Sequence, residues 1–307
     1  MRTAFVNSLL RIMDREHSEG IEKTCLIVGD LGFSVFEELK ERYPRRFLNA
    51  GVSEQNMAGI SSGMAMLGKN VFIYSIIPFV LYRAFEQIRN DICYHNLPVR
   101  IIGVGAGLAY ADAGATHHPI EDLRVAGSIP NLTILNPSDP KEVETLMGLI
   151  EKIQGPVYMR LARNGDPVLH DKHSLIRIGK ALKLTGGQQV LIITGGTLTK
   201  IALDAANELN KDEDVVEVLE IHTFKPFDND AVKNASTGKK VIVTIEDNNG
   251  ALEEKVAAAL AGTGSQRFIS FKLPDQFTHV SGTRDYLFSS YGITPDNICK
   301  RIREALK

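Results

Sequence analysis

The segment RFLNAGVSEQNMAGISSG, at positions 46–63, changes from strand to helix within a few residues. It predicts a short strand that ends at Gly51, followed by a helix with Ser53 at its start and Glu54 in its first turn. Helix capping by Ser53 and a favourable helix dipole at Glu54 would explain both residues structurally. A carboxyl group enclosed at a strand end also loses hydration and can exchange a proton with a ring nitrogen, so Glu54 is a candidate for proton chemistry.

Short apolar runs alternate with helical patterns on both sides of this segment. Predicted strands lie at 25–30, 47–51, 71–75, 99–105, 132–137 and 157–161, and predicted helices lie at 54–67, 81–94, 120–127 and 140–153. The strands are almost continuously apolar, which is typical of a sheet that helices cover on both faces. The alternation therefore predicts an α/β domain with a mainly parallel sheet at 1–165.

A polar segment with glycine, proline and several charges at 163–180 interrupts the alternation, and we place a linker at 166–180. The pattern then restarts in a second, smaller α/β domain at 181–307. Its strands are predicted at 190–196, 215–221, 241–247 and 267–271, with helices at 197–209, from Ala251 and from Pro295. The fold class is therefore two consecutive α/β domains with mainly parallel sheets, which suits a chain of 307 residues.

Composition excludes several classes of protein. The chain carries 35 basic and 37 acidic residues, so it lacks the basic excess typical of proteins that bind nucleic acid or membrane surfaces. Its longest apolar run, 71–82, is too short to span a bilayer and contains Pro78. Three widely spaced cysteines and a polar beginning favour a cytoplasmic protein without a signal peptide.

Two further segments carry candidate residues. Phe79 and Tyr82 follow a strand, where they either pack in the core or form an apolar wall for a flat heterocycle. In GLAYADAGATHHPIEDL, at 107–123, we do not expect the adjacent His117 and His118 to chelate a metal, and no other ligand cluster is evident. A loop histidine that contacts substrate hydroxyls or transfers a proton fits better.

The strand in YMRLARNGDP, at 158–167, carries two arginines near its end. Alternation directs one of Arg160 and Arg163 towards the ligand edge of the sheet. Arg163 is a candidate phosphate ligand, since a guanidinium can donate paired hydrogen bonds, although an exposed arginine needs no such role.

Taken in order, GVSEQNMAGISSGMA, the Phe79–Tyr82 run, DAGATHHPIEDL and VYMRLAR resemble the transketolase family over nearly the whole chain. The matching parts are the pyrimidine-binding domain and the C-terminal domain. The resemblance implies that Glu54 hydrogen-bonds the aminopyrimidine of thiamine diphosphate and activates it to form the thiazolium ylide, which then attacks a ketose carbonyl. It further implies that Phe79 stacks on the pyrimidine and that Tyr82 is a neighbouring contact.

The resemblance also assigns residues around the substrate. Asp30 matches an acidic residue near the cofactor, and His117 matches a catalytic histidine that contacts substrate hydroxyls. The matches on the sugar or its phosphate are Ser34, Arg163 and, less closely, Arg2. Two positions depart from the family pattern: Ala113 stands where the DGPTH form has aspartate, and Gly105 stands where longer members have histidine. Both contact the sugar in the family, so the resemblance does not identify the acceptor.

The diphosphate-binding domain of longer transketolases, with its GDG segment, has no counterpart here, because GDL at 29–31 lacks the second glycine. The resemblance therefore implies the C-terminal subunit of a split transketolase, a two-carbon ketol transferase. A partner subunit would share the thiamine diphosphate and hold most of the Mg²⁺ ligands, in a heterotetramer built on a dimer of this chain. The alternatives are the beta subunit of a 2-oxo-acid dehydrogenase, a deoxyxylulose-phosphate-synthase-like enzyme and a non-catalytic assembly subunit.

Overall fold

The chain forms two sheets, each covered by helices. The computed structural model describes residues 1–32, 34–163, 165–171, 174–211, 213–262, 264 and 266–307. Its helices are α1 Arg2–Ser18, α2 Glu37–Arg42, α3 Glu54–Met66, α4 Phe85–Gln87, α5 Asp122–Gly127, α6 Pro140–Ile150, α7 Thr199–Leu209, α8 Asn229–Ser236, α9 Ala251–Leu260, α10 Arg284–Ser290 and α11 Pro295–Leu306. Its strands are β1 Thr24–Val28, β2 Phe47–Asn49, β3 Asn70–Ile76, β4 Val99–Val104, β5 Thr133–Leu135, β6 Val157–Leu161, β7 Leu182–Thr185, β8 Val190–Thr194, β9 Val216–Glu220, β10 Thr223–Lys225, β11 Val241–Ile245 and β12 Arg267–Phe271.

The first sheet has seven strands in the order β10-β5-β6-β4-β3-β1-β2. All its neighbours are parallel except β10, which comes from the second half of the chain and pairs antiparallel with β5. Helices α1 and α6 pack on one face, and α3 and α5 pack on the other. Both faces are thus buried, which is why the strand sequences are continuously apolar.

The second sheet has five strands in the order β12-β11-β8-β9-β7, with only the edge pair β7–β9 antiparallel. Helices α7 and α11 cover one face of this sheet, where Ala202 and Ile298 are buried. Helices α8 and α9 cover the other face, where Val232 and Val256 are buried. The two mainly parallel sheets confirm the predicted fold class. The division at 166–180 stays a prediction, and Lys172 and His173 of that linker lie outside the described residues.

Several elements differ from the sequence prediction. The helix predicted at 81–94 is a succession of π-helical turns at Pro78–Arg83 and Ile88–Tyr94 on either side of α4. Helices α1, α2, α8 and α10 and strands β7 and β10 were not predicted. Strand β10 has three residues and β7 four, too few for an alternation to stand out. In the part of the chain that the structure describes, no helix combines the length and apolarity needed to cross a membrane.

Candidate active site at the carboxyl edge of the first sheet

Glu54 begins α3 and lies at the carboxyl edge of the first sheet, with only 1% of its surface exposed. Its Oε1 accepts a hydrogen bond from the Ser75 hydroxyl at 3.2 Å, and its Oε2 accepts one from Arg83 Nη1 at 2.6 Å. Ser53 is the N-cap residue of α3, but within the described residues its side chain makes no capping hydrogen bond, so a side-chain cap does not explain this position. Burial of Glu54 with two side-chain donors goes beyond what a helix start requires.

A residue without a side chain lies next to this carboxylate on the strand side. Gly29 follows β1, and a Cβ placed on it would lie 3.3 Å from Glu54 Oε1 and 3.5 Å from the Ser75 hydroxyl. A larger side chain at this position would crowd the carboxylate. Gly29 therefore lets the end of β1 approach Glu54 closely.

Arg83 joins Glu54 to Phe79. Its guanidinium carbon lies 4.9 Å from the centre of the Phe79 ring while Nη1 donates to Glu54, and the Arg83 side chain is 44% exposed. Glu54 and Phe79 together therefore contact a planar, nitrogen-bearing cation, by a charge-assisted hydrogen bond and by a cation–π contact. A protonated ring nitrogen (N–H) of an aromatic heterocycle could donate to the same acceptor, and its ring could use the same apolar face.

His117 also contacts Phe79. The two rings are 5.2 Å apart and nearly perpendicular, and the Tyr110 ring is 6.0 Å from His117. Nδ1 of His117 shares a hydrogen bond with the Thr116 hydroxyl at 3.0 Å, which leaves Nε2 as the nitrogen available to a substrate. The structure thus brings three sequence-predicted residues, Glu54, Phe79 and His117, into one group.

Both predicted phosphate ligands lie near Tyr110. The guanidinium of Arg163 lies 5.0 Å from the Tyr110 ring, and its Nη1 is 3.6 Å from Asp112 Oδ1. Burial raises the pKa of the Tyr110 hydroxyl, and the positive charges of Arg2 and Arg163 oppose that rise. Arg2 begins α1, whose N-terminus therefore lies at the same edge of the sheet. Positive charge from distant parts of the chain thus converges next to His117.

Asp30 and Ser34 lie towards the β2 side of this edge. The Asp30 carboxylate accepts a hydrogen bond from the Asn49 amide at 2.9 Å, and the Ser34 backbone N–H donates to Glu37 at the start of α2. Both residues are exposed and have positive φ. Their roles as cofactor and substrate contacts stay predictions.

Tyr82 lies next to Glu121. The Tyr82 hydroxyl and Oε2 of Glu121 are buried, and neither has a well-aligned hydrogen-bond partner among the residues that the structure describes. Burial raises the pKa of both groups, and the negative charge of Asp122 raises them further. The predicted role of Tyr82 at the pyrimidine stays a prediction.

A buried network of charged hydrogen bonds lies at the end of the His117 loop. Arg160 of β6 donates to both carboxylate oxygens of Asp122, at 2.9 and 3.0 Å, and to Asp247 at 2.7 Å. Asp122 begins α5, directly after that loop, whereas Asp247 follows β11 in the second sheet. Of the two arginines considered at this strand end, Arg160 is therefore an internal link between the sheets, and Arg163 faces the site.

Sequence reasoning missed Arg83 and Ser75. Arg83 lies four residues after Phe79, but the segment Pro78–Arg83 is π-helical, so the α-helical spacing of side chains does not apply to this pair. Ser75 had a weak signal, as the polar residue near the end of an otherwise apolar strand. The fold and the site together define a two-domain α/β enzyme with a binding site at the carboxyl edge of a parallel sheet.

Comparison with known proteins identifies the family. The profile for the transketolase pyrimidine binding domain matches residues 1–165, and that for the transketolase C-terminal domain matches residues 179–298. The chain belongs to the transketolase family. It is 34% identical to a putative transketolase C-terminal section from Methanocaldococcus jannaschii, over 87% of this chain and 85% of that protein. It is 30% identical to one of the subunits of apulose-4-phosphate transketolase from Phocaeicola vulgatus, over 100% of this chain and 97% of that one.

Solved structures agree with this assignment. A split gene transketolase, described as an inactive beta4 tetramer, matches with a TM-score of 0.88 and 30% identity over 99% of this chain and 97% of that chain. Transketolase from Campylobacter jejuni matches with a TM-score of 0.80 but 19% identity, which shows the fold alone. The match covers 98% of this chain and 46% of that transketolase, so this chain spans about half its length.

The family implies dependence on thiamine diphosphate, and the residues present fit the pyrimidine end of that cofactor. Glu54 is a buried acceptor, Phe79 offers an aromatic face, and together they already contact a planar cation in Arg83. Gly29 leaves room beside the carboxylate. A hydrogen-bond acceptor next to an aromatic face suits an aminopyrimidine, which is a flat ring with polar nitrogens.

Proposed function

We propose that this chain is the C-terminal, catalytic subunit of a split transketolase, which transfers a two-carbon ketol unit from a ketose or its phosphate to an aldose. The observation that carries the proposal is the buried Glu54 carboxylate beside Phe79 and His117 at one sheet edge. A subunit that only assembles a complex would not need a buried carboxylate and a histidine grouped around one aromatic ring.

The chain's own residues would act as follows. When bound, thiamine diphosphate supplies a carbon nucleophile and an electron sink for cleavage of the bond next to a ketose carbonyl. Glu54 would accept a hydrogen bond from the pyrimidine and hold or release a proton there. Phe79 would stack on the pyrimidine ring and fix its orientation. His117 is placed to donate to substrate hydroxyls, and Arg163 and Arg2 are placed to bind a phosphate group.

The diphosphate and Mg²⁺ would be held mainly by an N-terminal subunit. Magnesium prefers carboxylate and amide oxygens together with phosphate, and the GDG-type segment that provides them in longer transketolases is missing from this sequence. We propose a heterotetramer built on a dimer of this chain. Relatives of similar length that are themselves single subunits of a transketolase support a partner chain.

The arginines favour the sugar-handling branch over a 2-oxo-acid dehydrogenase. Two guanidinium groups near Tyr110 suit a phosphorylated substrate, which a small 2-oxo acid does not provide. Deoxyxylulose-phosphate synthases also handle sugar phosphates, and relatives of this class match with 30–31% identity. Measurement of carbon dioxide separates the two activities, because the synthase reaction releases it and the ketol transfer does not.

Glu54→Gln tests the proposal in the complex of this chain with its N-terminal partner. This variant keeps the shape of the side chain but cannot transfer a proton, so we expect turnover to fall about 100-fold or more while the complex still assembles. Glu86→Gln is the matched control, because Glu86 is an exposed glutamate on a nearby helical segment and accepts hydrogen bonds from the side chains of Gln87 and Asn90. Full turnover by Glu54→Gln would contradict the catalytic role, and a wild-type complex without ketol transfer would contradict the activity.

A further inference from the structure

A second group of titratable side chains lies where the two sheets approach each other, outside the candidate active site. Glu142 belongs to α6, Glu220 ends β9, and His170 lies in the segment that connects the sheets. Each offers one ligand atom, and these atoms all lie within 4.8 Å of one another. All three residues are buried, and we call them the interdomain cluster.

The cluster contains more acidic than basic groups. Asp139 lies next to His170, so three carboxyl groups surround this one imidazole. If all three were ionised and His170 were protonated, two negative charges would be left in the interior, and burial together with the charge of Glu220 raises the pKa of Glu142. Buried charge of this size needs compensation by protons or by a cation.

One oxygen of the cluster lacks a partner. Oε2 of Glu142 accepts hydrogen bonds from the backbone N–H and the hydroxyl of Ser138, at 2.7 and 3.2 Å. Oε1 of the same group is buried without any hydrogen-bond partner among the described residues, and the nearby His222 Nδ1 is 4.0 Å away. An unsatisfied buried oxygen is unfavourable, so a ligand that reached Oε1 would be held there.

His170 is oriented as a metal-ligating histidine is. Its Nε2 lies 2.8 Å from Glu220 Oε2, and its Nδ1 lies 3.1 Å from Asp139 Oδ2. To bind a metal, His170 would present Nε2 in its neutral form with Nδ1–H directed at the Asp139 carboxylate, the arrangement that is common among metal-ligating histidines. Two ligand atoms that each lie about 2.1 Å from a metal, at a right angle, are about 3 Å apart, which is close to the separation of Nε2 and Oε2.

We propose that the interdomain cluster binds a divalent first-row transition metal through His170, Glu142 and Glu220. A mixed set of one imidazole and two carboxylates suits Zn²⁺ or Mn²⁺. The three ligands come from the first α/β unit, the connecting segment and the second α/β unit, so the ion cross-links all three. Its role is to stabilise the folded chain, and it is separate from the Mg²⁺ assigned to the partner.

The test uses the full chain alone, without thiamine diphosphate, after dialysis against a chelator. Calorimetric titration with Zn²⁺, and separately with Mn²⁺, is expected to show one bound ion per chain for at least one of the two metals. Metal at a hundredfold excess over its Kd should raise the midpoint of thermal unfolding by about 4 °C.

Two matched variants localise the ion. Glu142→Gln keeps the shape but removes a ligand charge, so we expect about a 100-fold or greater loss of affinity. Glu144→Gln lies on the partly exposed side of the same helix, where Glu144 pairs with Lys141, and should bind like the wild type. Undiminished binding by Glu142→Gln would overturn the proposal, as would a wild-type chain that binds neither metal.

A readout on the wild type avoids dependence on the folding of any variant. With Co²⁺ in place of the native ion, absorption bands and X-ray absorption of a site with one imidazole and otherwise oxygen ligands would support the assignment, and sulfur ligation would refute it. If a proton compensates the charge instead, Glu142→Gln should be at least as stable as the wild type and no metal should bind. Local sequence patterns did not indicate this site, because its ligands are separated by 28 and 50 residues.

Discussion

Replacement of Arg160 by methionine should destabilise the chain more than the same change at the neighbouring buried Arg100. Arg160 is fully buried and compensates two carboxylates, Asp122 through two hydrogen bonds and Asp247 through one. Methionine fills much of the same volume but leaves both carboxylates in the interior without a cation. The loss therefore comes from stranded charge rather than from a cavity.

The size of the effect follows from these contacts. Removal of one partner of a buried ion pair costs about 3–5 kcal/mol, because the remaining charge is left desolvated. We expect a loss of about 4 kcal/mol in the free energy of unfolding for Arg160→Met. With an unfolding entropy of about 2.1 cal/mol/K per residue, this lowers the midpoint of thermal unfolding by about 6 °C for 307 residues.

Arg100→Met provides the control. Arg100 is equally buried, on the neighbouring strand β4, but it donates to two backbone carbonyls, those of Gly155 and Ile153, at 2.7 and 2.6 Å. Its loss strands no charge, so we expect about 1–3 kcal/mol in urea and thermal unfolding. A loss for Arg160→Met no larger than that for Arg100→Met would refute the reasoning. So would a double variant Arg160→Met/Asp247→Asn whose loss equals the full sum of the single losses.

Two further predictions concern the substrate and the pH dependence of stability. Arg163→Ala should raise KM for a phosphorylated ketose about 10-fold or more in steady-state assays, because a charged hydrogen bond contributes about 1.5–3 kcal/mol. KM for the unphosphorylated sugar should stay unchanged. An equal rise for both sugars would contradict phosphate binding. Burial raises the pKa of Glu246 from 4.5 to about 7, against two backbone N–H donors of α9. The folded state then holds a proton that the unfolded state has released, so the free energy of unfolding should fall by up to about 3 kcal/mol between pH 4.5 and 7, and Glu246→Gln should flatten this slope in urea titrations. An unchanged slope in that variant would assign the pH dependence to other groups.

The site was more predictable than the details of the fold around it. Glu54, Phe79 and His117 could be proposed from the sequence because each follows a strand, and parallel strands end at one edge of a sheet. Arg83 could not be placed in the same way, because its contact depends on the π-helical turns of Pro78–Arg83, whose period differs from that of an α-helix. The identity of the side-chain partner of Glu54 therefore required the structure.

Long-range pairing explains the other omissions. Arg160 was one of two arginines on a strand, and alternation could not show that Asp247, 87 residues later, would neutralise it. Likewise, Thr223–Lys225 forms a strand by pairing with β5 of the first sheet, although it lies in the second half of the chain. Such elements are set by tertiary contacts rather than by local pattern.

The short strand β10 joins the second half of the chain to the first sheet by backbone pairing with β5. If residues 223–225 were removed from the first sheet, β5 would become its edge, with an unpaired row of backbone donors and acceptors. A protease that cut once within 166–180 would therefore leave a nicked particle whose two pieces stay together until they are denatured. The first piece expressed alone would expose β5 as an unpaired edge strand and would tend to aggregate. In this chain, the boundary between domains in the sequence is not a boundary between sheets in space.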